Sequence, residues 1–363
     1  MTTTVEEIAV ALGARFEGAG ALPISAPAEP ATAGPEHLAL AMSETYAEAL
    51  TAGKAQAAIL WDGADWASYG LKAAIFVPRP RYAMAGVTQT FDVARDLEPG
   101  IHPMAIVHET AQLGADVRIG PFSTIGRGVR IGAGARIHGQ VTVEEEARIG
   151  TGALLLSGVR IGRRVVIGDN FAAHPNAVIG GDGFSYVTPK PGAIEEMRAS
   201  KTVSDGHDAQ SFVRIHSLGA VRIGDNVEVG SLSAIDRGTV ADMVVGDGTK
   251  IDNLVMIGHN VQVGKTCLLC SQVGIAGSSV IADRVVLGGQ VGVADHVTVG
   301  ENVVAAGKAG ISSNVPPNRV IMGNPAIKME ANVESYKVYR RLPRLAAKVD
   351  ELQKLVSNLA SKG

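Results

Sequence analysis

This chain of 363 residues is poor in aromatic side chains, with 7 Phe, 6 Tyr and 2 Trp beside 44 Gly. A thick globular core would use large rings to fill its volume, so a thin, repetitive interior is implied. A hydrophobic content of 46% and a charged content of 19% exclude disorder. An excess of positive charge is also missing: 33 basic against 36 acidic residues give a net charge of −3. That removes the field that draws proteins to nucleic acid, so no nucleic-acid partner is expected. No window approaches 18 unbroken apolar residues, and MTTTVEEIAV has no basic start leading into an apolar run. A soluble cytoplasmic protein without an integral membrane segment is therefore expected. Cysteine is nearly absent. Cys267 and Cys270 form one CxxC, with no second pair to complete a zinc site, and packing is favoured over redox chemistry.

What the chain does have is a beat of six. An aliphatic residue recurs from Ile101 through Val107, Leu113, Ile119 and onward to Ile179; it resumes at Ile223, slips by four after Ala241, and runs from Val245 to Ile311. Glycine usually follows it. Four residues after each aliphatic, the later run carries only small or β-branched residues, among them Thr249, Val255, Val261, Cys267, Val273 and Ser279. A helical period of 3.6 cannot hold such positions on one face, and simple alternation would not mark every sixth residue. Short parallel strands joined by tight turns can, with Gly or Asn permitting the turn. Three hexads then close an 18-residue rung, rungs stack at roughly 4.8 Å, and the product is a three-sided prism about nine or ten rungs tall. The period does not set the hand of the coil.

Residues 1–100 lack the beat and read as a small α/β domain. Thr4 and Glu7 make a capping box before a helix stopped by Gly13; AQAAILW and LKAAIFV read as buried strands, and Pro80 to Phe91 as a helix. Residues 101–325 form the prism, with 181–217 leaving its wall as a loop. Residues 326–363 are a helical extension in which Leu345, Val349, Leu352, Val356 and Leu359 space an apolar seam that wants a partner helix. Pro343 is expected to kink or divide it. Seven basic and four acidic residues between Lys328 and Lys354 make it locally positive.

With 18 residues per rung, His259 stacks under Gly277, and two rungs up under Asp295, whose neighbour is His296. His259 follows inward Ile257 by two, so its ring is expected to point outward. A neutral imidazole there suits a general base, and a backbone N–H on the rung above suits an oxyanion, with glycine at 277 leaving room for substrate. A surface histidine without a role is the competing reading. Gly289, Gly292 and Gly310 form a glycine-rich groove that either accepts an apolar chain or serves turns. Phosphate-loop motifs are absent.

The hexads, the N-terminal α/β domain, the helical tail and the segments VIGGDGF, AIDRG, KIDNLVMIGHNVQVG, GQVGVADH and GNPA together resemble the UDP-3-O-acylglucosamine N-acyltransferases of lipid A biosynthesis. The resemblance implies a mainly β, left-handed parallel β-helix assembled as a homotrimer with active sites between neighbouring prisms. It implies transfer of an (R)-3-hydroxyacyl group from acyl carrier protein to the 2-amine of a UDP-sugar, with the carrier-protein thioester as co-substrate and neither cofactor nor metal. The family's catalytic histidine falls on His259, its supporting aspartate on Asp252, its oxyanion donor on the Gly277 amide, and its second, substrate-associated histidine on His296; Asn260 follows the base. For uridine the family uses an aromatic and an Asn-x-x-Tyr pattern; here Leu40 and Ser43 stand at the first two places and Tyr46 is retained. Asp182 and Phe184 in the loop are further candidates for ligand contact. The basic tail fits docking of the acidic carrier protein, or a solvated helix face. A related O-acyltransferase or acetyl-CoA-dependent N-acetyltransferase, and a non-catalytic solenoid scaffold, are the alternative readings.

Overall fold

A computed structural model describes residues 2–93, 97–203, 211–323 and 326–361. The chain divides into two compact units, Met1–Asp96 and Leu97–Gly363.

In the first unit, helix α1 (Val5–Leu12) begins at Thr4, whose hydroxyl accepts the Glu7 N–H while the Glu7 carboxylate accepts the Thr4 N–H, and ends at left-handed Gly13. A five-stranded sheet runs in the order Arg15–Gly18, Ala73–Val77, Ala57–Trp61, His37–Leu40, Ala26–Ala28; the first strand is antiparallel and the rest are parallel. Side chains alternate across it as strand geometry requires. Ile59 and Ile75 face a core with Ile8 of α1, while Leu60 and Phe76 face the opposite core with Ala47 and Leu50. Ala47 ends a short helix α2 (Glu44–Ala47), and helix α3 spans Pro80–Phe91.

The second unit is the prism. Its three walls hold ten, nine and ten parallel strands, in agreement with the height read from the hexads. The first wall starts at Ile106–Val107 and ends at Gly310–Ile311; the second starts at Gln112–Leu113, the third at Arg118–Ile119. Strand pairs such as Ile119 with Ile137 and Ile131 with Ile149 give the 18-residue rung directly. Aliphatics and the small residues four places on are both buried in one continuous core. Where the small residue carries a hydroxyl, the backbone satisfies it: Thr249 Oγ1 donates to Gly264 O at 2.9 Å and accepts from Cys267 N at 3.1 Å.

The glycine that follows each aliphatic does not make the turn. At Gly132 an added Cβ would stand 2.5 Å from the Gly150 carbonyl carbon of the next rung, so the constraint is close stacking. The turn is made two residues later by a left-handed residue that is commonly Asn, Gly or Gln, such as Asn176, Gly134 or Gln140. Cys267 is buried and Cys270 partly so; neither is bonded to the other, and burial pushes both thiols up, which suits packing and disfavours a reactive thiolate.

Two irregularities interrupt the stack. Between Gly181 and Val221 the chain leaves the first wall, forms helix α4 (Ala193–Ser200) and a two-stranded pairing of Tyr186–Val187 with Val213–Arg214, and returns on the second wall. On the next rung the step enlarges: Ile223 pairs with Val245, Val229 with Ile251 and Ile235 with Ile257. Each of these pairs is four residues further apart than in a regular rung, and the extra residues lie near 238–242. Helix α5 (Met329–Ala360) ends the unit. Of the kink or division expected at Pro343, the division does not occur, and the helix's side chains are exposed along its length. Of the GNPA segment, Asn324 and Pro325 lie outside the described residues.

Candidate functional site

The site is built where these two irregularities meet the first wall. His259 follows the strand Met256–Ile257 by two residues, at the corner toward the second wall. The hexad count places its ring outward. It is half-buried, beside two glycines that have no side chain to displace it. From the rung above, an added Cβ on Gly277 would lie 2.7 Å from Cε1 and 2.8 Å from Nε2. From the root of the 181–217 loop, an added Cβ on Gly183 would lie 2.7 Å from the His259 Cβ. Neither glycine is in the left-handed region; the requirement is close approach.

The ring's tautomer follows from its neighbours. Thr239, brought in by the four extra residues, donates its N–H to Asn260 Oδ1 at 2.9 Å, and the same oxygen faces His259 Nδ1 at 3.0 Å. An amide oxygen only accepts, so a neutral ring carries its hydrogen on Nδ1 and leaves the lone pair on Nε2. Asn260 itself holds the left-handed corner, at φ 61. Among the described residues the Gly277 N–H is given to no acceptor, while the flanking amides are used: Ala276 N donates to Val293 O and Ser278 N to His259 O. A lone pair and a free amide donor therefore stand beside one another.

Asp252 stands one wall earlier along the chain than the base. It follows the Lys250–Ile251 strand of the third wall, and its carboxylate accepts from Asn253 N, Ser271 N and the Ser271 hydroxyl. The Ser271 hydroxyl, then the Asn253 N–H, hold it below the usual carboxylate range. Among the described residues no hydrogen bond joins it to His259. On the rung below the base stands a buried carboxylate, Asp236 of the AIDRG segment, only 7% exposed. Burial pushes its carboxyl up to about 6, against the pull of His259 and of the Phe184 N–H. Sequence reasoning misses Asp236, the bridging role of Asn260 and the covering glycine Gly183 as parts of the base's surroundings. For Asp236 a signal exists: a charged residue stands directly after a hexad aliphatic, where glycine is usual.

Of the remaining candidates, three flank this corner and two belong to the first unit. His296 is exposed one rung above Gly277, whose carbonyl accepts its N–H at 3.2 Å. Asp182 pairs with Arg214 at 3.2 Å, and Phe184, 84% exposed, meets Tyr186 edge-on at 5.1 Å. In the first unit Tyr46 is 58% exposed on α2, and Ser43 precedes that helix without capping it by its side chain.

Above Met256, the outward position of the first wall is glycine on three successive strands: Gly274, Gly292 and Gly310. An added Cβ at any of them would meet nothing within 4 Å, and none is in the left-handed region. Turns do not demand these glycines. They leave a shallow trough lined by Met256, Ile275, Ala276, Val293 and Ala294, running along the prism axis from the corner of His259. Gly289 stands at a turn of the same rungs.

Comparison with known proteins agrees with this architecture. Residues 104–139 match the family model described as bacterial transferase hexapeptide (six repeats). Over 359 residues, covering 98% of both chains, the protein is 53% identical to the UDP-3-O-acylglucosamine N-acyltransferase of Ruegeria pomeroyi. Over 363 residues, covering 100% of this chain and 99% of the relative, it is 50% identical to the enzyme of that name from Paracoccus denitrificans. The crystal structure of Arabidopsis UDP-N-acetylglucosamine acyltransferase aligns with a TM-score of 0.52 at 23% identity, over 61% of this chain and 71% of that one. This last likeness bears on the fold, a left-handed parallel β-helix.

Proposed function

Because the chain belongs to the UDP-3-O-acylglucosamine N-acyltransferase family and is an acyltransferase of lipid A biosynthesis, we propose that it moves an (R)-3-hydroxyacyl group from acyl carrier protein to the 2-amine of a UDP-3-O-acylglucosamine, with His259 as the base. The observation that carries this reading is the Asn260 amide oxygen at His259 Nδ1, which leaves Nε2 as the nitrogen that can accept a proton, beside a Gly277 N–H that among the described residues is given to no acceptor.

In this mechanism the amine nitrogen attacks the thioester carbonyl carbon while Nε2 accepts the amine proton. The carbonyl oxygen becomes an oxyanion, stabilised by the Gly277 N–H. Collapse re-forms the carbonyl and breaks the carbon–sulfur bond, and the imidazolium returns the proton to the departing thiolate, leaving an amide and the carrier thiol. Every step is a proton or acyl transfer, so no cofactor is called for. The glycine trough takes the acyl chain: over three steps of roughly 4.8 Å it offers apolar surface with no side chain in the way. His296, Asp182 and Phe184 are proposed to contact substrate near the base, and Tyr46 and Ser43 to contact uridine.

A homotrimer is part of this reading. Its support is α5, whose seam residues Leu345, Val349 and Leu352 are exposed in the single chain and suit burial between helices. The positive residues of the same helix support docking of the acidic carrier protein. Among the described residues no helix is long and apolar enough to cross a membrane; a cytoplasmic enzyme is the proposal consistent with carrier-protein chemistry.

The test is transfer from an acyl carrier protein thioester or from acetyl-CoA to UDP-3-O-acylglucosamine. Transfer from the carrier protein alone is expected, with His259→Ala losing about 10²–10⁴ in rate. Activity only with acetyl-CoA, or an unimpaired His259→Ala variant, would overturn the reading.

A further inference from the structure

Asp236 occupies a place that elsewhere in the prism is usually given to glycine. It directly follows the aliphatic Ile235, as Gly132 follows Ile131 and Gly258 follows Ile257, and at Gly132 a side chain would collide with the next rung. The register with the rung below is irregular here: Ile179 pairs with Ile235, but Gly181 rather than Gly180 pairs with Asp236. Bulges of this kind re-aim side chains beside functional sites. The pairing of Ile235 with Ile257 sets Asp236 beside Gly258, on the rung immediately below the base.

The same short segment ties down both roots of the loop. Arg237 N donates to Gly181 O at 2.8 Å and Arg237 Nε to Gly219 O at 2.8 Å. Gly183 N donates to Ser217 Oγ at 3.0 Å, Gly183 rests on His259, and the backbone N–H of the next residue, Phe184, pulls the Asp236 carboxyl down. The charged groups that face Asp236 are His259 from the rung above and Asp182 from the loop root, the latter paired with Arg214. The Arg237 guanidinium is directed to the Gly219 and Arg163 carbonyls.

We propose that Asp236 is the positioning carboxylate of this site: it holds the loop root against one face of His259 and presents negative charge to the imidazolium formed when Nε2 takes the amine proton. This rests on His259 being the base. Asp252, engaged by Ser271 and Asn253, does neither within the chain.

Asp236→Asn is the informative variant, because it keeps the shape of the side chain and an accepting oxygen while the charge is gone. Two readouts separate the idea from a failure of the functional assignment. The first needs no substrate: NMR titration of the His259 imidazole in histidine-labelled protein, its signal identified by loss in His259→Gln. The midpoint is expected to move to lower pH in Asp236→Asn and to stay in place in Asp252→Asn. The second is the kcat/KM profile, whose ascending limb should move to lower pH in Asp236→Asn, with kcat on the plateau reduced about 10–100-fold. A parent without acyl transfer would refute the functional reading and leave the titration to decide on Asp236. An unmoved midpoint in Asp236→Asn, or a larger shift in Asp252→Asn, would overturn the proposal.

Discussion

The lower and upper halves of the first wall share one backbone and differ in what stands on it. Below, the outward column reads Ile106, Thr124, Thr142, Arg160 and Val178; above, it reads Met256, Gly274, Gly292 and Gly310. Inward residues do not distinguish the halves, since Ile125, Val143 and Ile161 are as buried as Ile257, Ile275 and Val293. This fold therefore keeps its stability on the inside of each strand and leaves the outside free for chemistry. Between the halves come the two irregularities, and each delivers a piece of the site: the loop brings Gly183, and the four extra residues bring Thr239 to Asn260.

The comparison breaks most visibly at Gly277. A methyl group there would press on the base and displace it from the adjacent amide, so Gly277→Ala should lose about 10²-fold or more in kcat, with melting temperature little altered. Normal turnover in this variant would mean that ring and amide do not act together. A smaller effect is expected in the trough. Gly292→Leu adds a side chain where there is open space, so folding should be unaffected while the preferred acyl chain becomes shorter, as product mass spectrometry of a mixed-chain assay would show. An unchanged product distribution would place the acyl chain elsewhere.

Asp236 sharpens the contrast with the opposite sign for stability. Its carboxyl is raised to about 6 by burial, so the folded protein holds this proton more tightly than the unfolded chain does. The stability this group supplies is full below the unfolded value of about 4 and is lost as pH rises through the folded one. Asp236→Asn has no such loss. Its denaturation midpoint should therefore exceed the parent's at pH 8, by at most about 2–3 kcal/mol in stability, and the gap should close toward pH 4. A gap that widened toward acid would refute a destabilising buried carboxylate. A residue that weakens the fold while serving the site is a common trade.

How far the sequence foretells this follows from the same division. Inward positions obey a strict count, so Ile257 and Ile275 announce the 18-residue rung, and that rung alone brings His259 under Gly277. Outward glycines are ambiguous in sequence, because Gly132, needed for stacking, and Gly292, needed for nothing in the backbone, are the same letter. Contacts that cross an irregularity obey no count. Asp236 meets Phe184 across the inserted loop, and Thr239 meets Asn260 across the four-residue step; the enlarged spacing hides both. Asp252 is near His259 in sequence, but seven residues carry the chain past a corner of the prism. Pro343 reads as a kink or a division, and the exposed α5 is not divided there.

The smallest effect expected is on the lower half, and it serves as the control for the rest. Thr124 is an exposed strand residue whose partners in register are Ile106 and Thr142, also outward. Replacing it by glycine imitates the upper half locally. Thr124→Gly removes a β-branched side chain that favours the strand and adds backbone freedom to the unfolded chain, a cost of about 0.5–1 kcal/mol. It touches neither the base nor the trough, so kcat and the acyl-chain profile should match the parent. Denaturant unfolding and the mixed-chain assay check the two halves of the statement. If Thr124→Gly altered chain preference as Gly292→Leu is expected to, the trough could not be confined to the upper rungs, and the glycines there would have lost their explanation.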